Sequence, residues 1–180
     1  GPTLPPELFD LSVAHLVQDR FRKIEFSGYI WNVKEAETQI GPGPNYFSAD
    51  EDNVWVDASG CLHLTIISEK GKWYSTEVFT EAALGYGSYT FTTASPISQL
   101  DKNAVLGLFT WDDAAPESNH REIDIEFSRW GEPLNENGQY VVQPWDRPEN
   151  MHRFEMLLEG PYSTHNFIWK SDQVFFSSHQ

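Results

Sequence analysis

From Ile24 to the C-terminus the chain alternates apolar and polar residues in short runs with a period of two. Runs 24–33, 53–57, 61–68, 73–80, 86–93, 104–111, 121–128, 138–144, 152–158, 164–170 and 173–177 are rich in β-branched and aromatic residues. In a strand successive side chains point to opposite faces, so this pattern predicts half-buried β-strands. Turn signals separate them at Ala58-Ser59-Gly60, Lys70-Gly71-Lys72, Leu84-Gly85 and Asn135 to Gly138. Only Leu11 to Arg22 has spacing that predicts a short helix. Glu35 to Asn53, holding Gly41-Pro42-Gly43-Pro44, is expected to be one long loop. Many short strands without long helices predict an all-β chain of antiparallel sheets, a sandwich or barrel. Residues 1–23 are expected to be an extension and 24–180 one domain.

Composition narrows the partners. Twelve Lys and Arg stand against 27 Asp and Glu, a formal charge of −15. Such a chain repels phosphate backbones, so neither nucleic acid nor an anionic membrane is an expected partner. No apolar run approaches the ~20 residues of a membrane span, so no membrane insertion is expected. No basic-then-apolar signal peptide opens the chain, and Gly1-Pro2 reads as a processing scar. Cys61 is the single cysteine and is expected to pack inertly in a strand, so no intrachain disulfide forms. Abundant aromatic rings with several carboxylates suit a neutral sugar polymer.

The candidate chemistry lies in Glu122-Ile123-Asp124-Ile125-Glu126. On a strand Glu122, Asp124 and Glu126 line one face while Ile123, Ile125 and Phe127 line the other. Three adjacent like charges cost stability unless something uses or neutralises them. One reading is a solvated polar face of an antiparallel sheet. The other is the floor of an active site. Two carboxylates flanking a glycosidic bond can hydrolyse it, one attacking the anomeric carbon and the other protonating the leaving oxygen. Asp124 between them could tune a neighbour through hydrogen bonding and charge proximity. Trp111 before the strand and Trp130 after it are rings on which a sugar could stack, or simply core or rim residues.

Other schemes fit less well. Asp112, Asp113 and Asp50-Glu51-Asp52 are acids a structural calcium could use, but neither group matches an EF-hand loop. The six His residues lack HExxH spacing, so no metal ligands and no cofactor are predicted. No GxSxG elbow, P-loop or GxGxxG after a strand is present. Cys61 with His63 makes a weak nucleophile pair.

The segment Glu122 to Phe127 resembles the active-site signature of glycoside hydrolase family 16, which includes lichenases, laminarinases, agarases, carrageenases and xyloglucan transglycosylases. Asn53-Val-Trp-Val with Gly60-Cys-Leu-His-Leu resembles the family's early hairpin, Gly85-Tyr-Gly-Ser-Tyr89 a strand entry beside the cleft, and His165-Asn-Phe-Ile-Trp169 its H-x-x-x-W strand. The resemblance implies a concanavalin A-like jelly-roll sandwich of two antiparallel sheets with a concave glycan-binding cleft. It implies Glu122 as nucleophile, Asp124 as its assistant and Glu126 as acid/base. It offers Trp111, His120, Trp130, Glu77 and Gln143 as substrate-binding candidates. The strand lacks the extra bulge residue of many laminarinases and so looks more like the lichenase and transglycosylase form.

Departures also occur. Phe79 lies where several lichenases carry arginine, and His120-Arg121 replaces their Trp-Asp. The resemblance stops at Gln173 to Phe176, so the domain is expected to lack its last strands. The resulting expectation is a retaining hydrolase of β-linked polysaccharide, β-1,3- or mixed-linkage glucan-like. It is expected to be a monomer, extracellular or periplasmic. A lectin-like glycan-binding sandwich and a transglycosylase are the alternatives.

Overall fold

The computed structural model describes residues 20–180. The expected helix at Leu11 to Arg22 falls mostly outside them; of its last residues, Arg22 opens a strand. The chain divides into two compact units, Gly1–Ala83 and Leu84–Gln180.

In the first unit the strands are β1 (Arg22–Phe26), β2 (Tyr29–Val33), β3 (Ala36–Ile40), β4 (Asn45–Phe47), β5 (Val54–Val56), β6 (Leu62–Leu64), β7 (Ile67–Glu69), β8 (Lys72–Ser75) and β9 (Val78–Thr80). β1 and β2 form a hairpin across Ser27-Gly28, both at positive φ (53° and 81°). That two-residue left-handed turn matches the right-handed twist of the strands it joins. β9 adds to the other side of β2. The segment expected to be one long loop holds β3 and β4 instead, a short pair joined across Gly41 to Pro44. Its polar sequence hides the strand signal, because AETQI is largely exposed and lacks the apolar half of the alternation. β4 also runs parallel to β8, the one parallel pairing among the described strands. Cys61, expected inside a strand, is exposed just before β6, where its N–H donates to Asp57 Oδ1. The Asp57 side chain organises that turn, also accepting from Ser59 N (2.8 Å).

The second unit holds β10 (Gly87–Ala94), β11 (Leu106–Phe109), β12 (Ile123–Phe127), β13 (Gly138–Val142), β14 (Met151–Phe154), β15 (Tyr162–Trp169) and β16 (Val174–His179). They make two antiparallel sheets, ordered β10-β15-β16 and β11-β12-β13-β14. The sheets face each other through their apolar sides. Ile123, Ile125 and Phe127 from β12 meet Phe167 from β15 and Ile97, with Tyr89, Phe91, Tyr140, Phe154 and Phe176 packed around them. Rings interleave across the layer: Tyr140 stacks on Phe176 with centroids 4.7 Å apart. A Cβ on Gly138 would sit 2.6 Å from the Phe154 ring, so only glycine lets that ring close over Phe127. Each fully buried residue of this kind contributes about 2 kcal/mol of transfer free energy. This is the all-β, antiparallel architecture expected from the period-two pattern.

One polar chain crosses this core. Thr93 Oγ1 meets Ser163 Oγ (2.6 Å), Ser163 meets His165 Nε2 (2.8 Å), and His165 Nδ1 meets Ser178 Oγ (2.8 Å). Tyr140 donates its hydroxyl to Ser178 Oγ (2.7 Å). Every ring nitrogen of the fully buried His165 therefore has a partner, which offsets the cost of burying it. Burial, with a smaller contribution from His179, pushes the imidazole down to about 4, so it is neutral near pH 7.

Candidate active site

The carboxylate row lies on the face of β12 opposite the core. Glu122 stands just before the strand in extended backbone (φ −79°, ψ 126°), so the alternation begins with it. Register sets Gly107 and Gln139 beside Glu126, and Phe109 and Val141 beside Asp124. Gln143 N donates to Glu122 O (3.1 Å), carrying the β12–β13 ladder to the first glutamate. The three buried apolar residues beneath (Ile123, Ile125, Phe127) fix the strand, so the row cannot slip without exposing them.

The acids do not all carry charge. Asp124, 4% exposed, is pushed up to about 9, chiefly by burial and then by its hydrogen bond to Glu122 and the charges of Glu122 and Glu126. Gln143 Nε2, donating to Asp124 Oδ2 (3.3 Å), opposes the shift only in part. Glu122 is also raised by burial and by the Glu126 charge, but its hydrogen bond with Asp124 and the nearby His120 pull it back. The shared bond thus favours the proton on Asp124 and the anion on Glu122. At neutral pH the middle residue, still protonated, is the donor of that bond.

The Glu122 end is walled by a strained loop. A short 3₁₀ segment, Pro116–Arg121, ends with Asn119, His120 and Arg121 all at positive φ (50°, 56° and 51°). Left-handed backbone costs a non-glycine residue about 1 kcal/mol or more, so the surroundings must enforce it. Thr110 Oγ1 donates to Arg121 O (2.9 Å) and accepts from Ile123 N (3.0 Å), bracketing Glu122. His120 donates Nδ1–H to Asp112 O (3.0 Å) and lies flat on Trp111, centroids 3.9 Å apart. Trp111, half exposed, is held in turn by Nε1 donating to Asp113 Oδ1 (2.7 Å). Asp112 and Asp113 therefore serve this loop. Trp145, 60% exposed, follows Gln143 and donates its N–H to Gln143 Oε1 (3.0 Å).

The Glu126 end has a different lining. Gln139 Nε2 donates to Glu126 Oε1 (3.0 Å), and Arg153 Nε donates to Gln139 Oε1 (2.9 Å). The Arg153 guanidinium also lies 4.4 Å from the centre of the Trp130 ring. Trp130 itself sits at positive φ (46°), with its N–H bonded to Ser128 Oγ (2.9 Å).

Of the residues singled out from sequence, Glu122, Asp124, Glu126 and Gln143 are brought together directly. Trp111 and His120 form one stack at the Glu122 end, and Trp130 joins the Glu126 end through Arg153 and Gln139. Glu77 lies in the first unit just before β9, ion-paired to Lys34 Nζ (3.0 Å). Gln139, Arg153 and Trp145 were not picked out from sequence. Gln139 carries a readable signal: on a period-two strand it shares the face of Gln143, four residues on. Arg153 and Trp145 had none. Among the described residues no three His, Cys, Asp or Glu side chains are grouped to hold a metal ion. No helix among them is long and apolar enough to cross a membrane.

No family model matches this chain. No curated protein matches it either. Solved structures do. A β-glucanase of Bacillus licheniformis superposes with a TM-score of 0.65 at 20% identity, over 86% of this chain and 70% of that one. A glycosyl hydrolase family protein of Mycobacterium fortuitum gives 0.55 at 14% identity, over 83% and 65%. A protein of Mycobacterium tuberculosis named an immunostimulatory antigen and pseudo β-1,3-glucanase gives 0.55 at 17% identity, over 83% and 64%. The chain thus spans slightly less than two thirds of the two mycobacterial structures. At these identities the likeness is one of fold: the chain has the all-β jelly-roll fold of β-glucanases and glycosyl hydrolase family proteins.

Proposed function

We propose that this chain is a retaining glycoside hydrolase of the family 16 kind, acting on β-linked glucan of β-1,3 or mixed linkage. One observation carries the reading: Asp124, 4% exposed and hydrogen-bonded to Glu122, is the residue of the three-acid row that best keeps a proton, which favours the anion on Glu122. Glu122 attacks the anomeric carbon while Glu126 gives its proton to the leaving glycosidic oxygen. Glu126 then takes a proton from water, whose oxygen displaces Glu122 and restores both acids. The Asp124 hydrogen bond weakens as Glu122 becomes an ester and strengthens as Glu122 leaves, so it favours the second transition state and orients Glu122 for the first. A retaining reaction needs the two glutamate carboxyls roughly 5–5.5 Å apart. Trp111 with His120, Trp130 and Gln143 are proposed substrate contacts. A polymer substrate agrees with work outside the cytoplasm.

The test is a digestion panel of β-glucans with reducing-end release and the anomeric form of the first product followed by NMR. Retention of β-configuration, lost in Glu122→Gln and Glu126→Gln without loss of folding, is the expected result. Equal activity in both variants sinks the reading. A second reading, glycan binding without turnover, is favoured by the pseudo-glucanase name of the Mycobacterium tuberculosis neighbour. Affinity for glucan with no product from any substrate would select it, and transfer to added acceptor oligosaccharides would mark a transglycosylase.

A further inference from the structure

Glu126 is reached by a relay of side-chain hydrogen bonds from two further strands. Gln139 on β13 reaches it through Nε2, and Arg153 on β14 reaches Gln139 through Nε. Guanidinium has donors only, whereas a glutamine amide has a donor end and an acceptor end. Arg153 must therefore meet Gln139 Oε1, and that leaves Nε2 as the end facing Glu126. Rotating the amide by half a turn would set N–H against N–H at Arg153 and offer an oxygen to the carboxyl. Trp130 holds Arg153 in place, its ring 4.4 Å beneath the guanidinium. On the other side β11 presents Gly107, which brings no side chain to Glu126.

We propose that Arg153 is a positioning residue that locks the Gln139 amide in its donor orientation, so that Glu126 Oε1 is kept as an acceptor and any proton Glu126 carries sits on Oε2. This rests on the reading of Glu126 as the acid/base for its purpose, though not for its test. The lock selects which carboxyl oxygen is free to face the scissile bond. It also joins the rim ring Trp130 to the acid/base, so that a sugar displacing Trp130 would be felt at Glu126. The groups around the carboxyl are Asp124 on its own strand, Glu122 just before that strand, neutral Gln139 on β13 and, through Gln139, Arg153 on β14.

The experiment follows the Glu126 side-chain carboxyl carbon by ¹³C NMR through a pH titration, in the wild type, Arg153→Leu, Gln139→Met and the double variant. In Arg153→Leu the amide is free to turn and accept a proton, so the Glu126 midpoint is expected to rise by about one pH unit. With Met at 139 the same Arg153 substitution is expected to move it by much less. Equal shifts in both backgrounds would mean that Arg153 acts only through its charge, and would overturn the lock, as would no shift at all. Arg153→Lys, which keeps the charge and a donor, is expected to recover most of the wild-type midpoint. These readouts need no turnover, so a protein that binds glucan without cleaving it still decides the proposal. Where the wild type hydrolyses glucan, Arg153→Leu is expected to slow substrates with poor leaving groups about tenfold more than dinitrophenyl glycosides, which need no acid. An equal loss on both substrates would count against the lock.

Discussion

Glu77 and Glu122 are both partly buried glutamates raised above their ordinary value by burial, yet their settings are opposite. Glu77 faces an ammonium: Lys34 Nζ lies 3.0 Å away and is itself spread over the Phe47 ring at 4.2 Å. Lys34 also donates to Gly41 O (2.8 Å), so the pair is tied into the surrounding backbone. Glu122 faces carboxyls, and its neighbour Asp124, pushed up chiefly by burial, keeps a proton and hydrogen-bonds to it. A paired charge is a neutral object that can be structural. A crowded charge stores free energy that chemistry can use, and it persists only because Ile123, Ile125 and Phe127 hold the strand from below. Burial of the same residue type therefore says little by itself; the sign of what stands opposite decides the role.

The largest effect expected from this contrast is on turnover. Glu122→Gln should reduce reducing-end release from β-glucan to background, and Glu126→Gln should lower kcat on the polymer by about 10²–10⁴-fold. Glu77→Gln, which removes a charge already paired with Lys34, should lower kcat/KM by less than about tenfold. A Glu77 variant as dead as Glu122→Gln in steady-state assays would erase the distinction.

Stability gives the next test. Lys34→Met strands a buried carboxyl and should cost about 3 kcal/mol in urea unfolding, most of it recovered in Lys34→Met/Glu77→Gln. Full additivity of the two changes would show that the pair is not coupled.

A smaller effect separates Asp124 by pH. Its folded value is about 9 against an ordinary 3.8, so the unfolded state releases the proton first. The contribution to stability is complete below about pH 4 and is lost as pH rises toward 9. Asp124→Asn should flatten that decline and be more stable than the wild type near pH 8, by several kcal/mol at most, while activity falls. Unchanged slopes in thermal melts between pH 4 and 9 would break the account of Asp124 as a neutral donor.

His165 sharpens the comparison from the other side, because it is buried without any carboxylate partner. Its value falls from 6.5 to about 4, so stability is present above 6.5 and lost as pH falls through that window. Replacing it by Gln should remove about 1.5 kcal/mol of acid sensitivity between pH 6.5 and 5. A wild-type protein equally stable at both pH values would contradict a neutral core histidine.

The all-β class was legible because alternation is a direct projection of the two strand faces onto sequence. REIDIEFS shows this most clearly, and the structure places its acids and its core residues on the two sides expected. The β3–β4 hairpin was not legible, since a largely solvated strand such as AETQI has no apolar face to betray it. Cys61 looked internal because its neighbours Leu62 and Leu64 are apolar, but the Asp57 turn lifts it out before the strand begins. Resemblance likewise supplied the candidate residues without their partners. Lys34 is far from Glu77 in sequence, and nothing local announces their contact.

By itself, then, the sequence determined the strand pattern, the placing of three acids opposite three core residues, and a formal charge of −15. Those properties follow from nearest neighbours and from totals, which any linear reading contains. Tertiary structure decided which acid carries the proton, which glutamate is neutralised by Lys34, and which end of the Gln139 amide faces Glu126. Each of those depends on groups brought together from separate strands, where burial strengthens electrostatic interactions and a donor or acceptor has few alternatives.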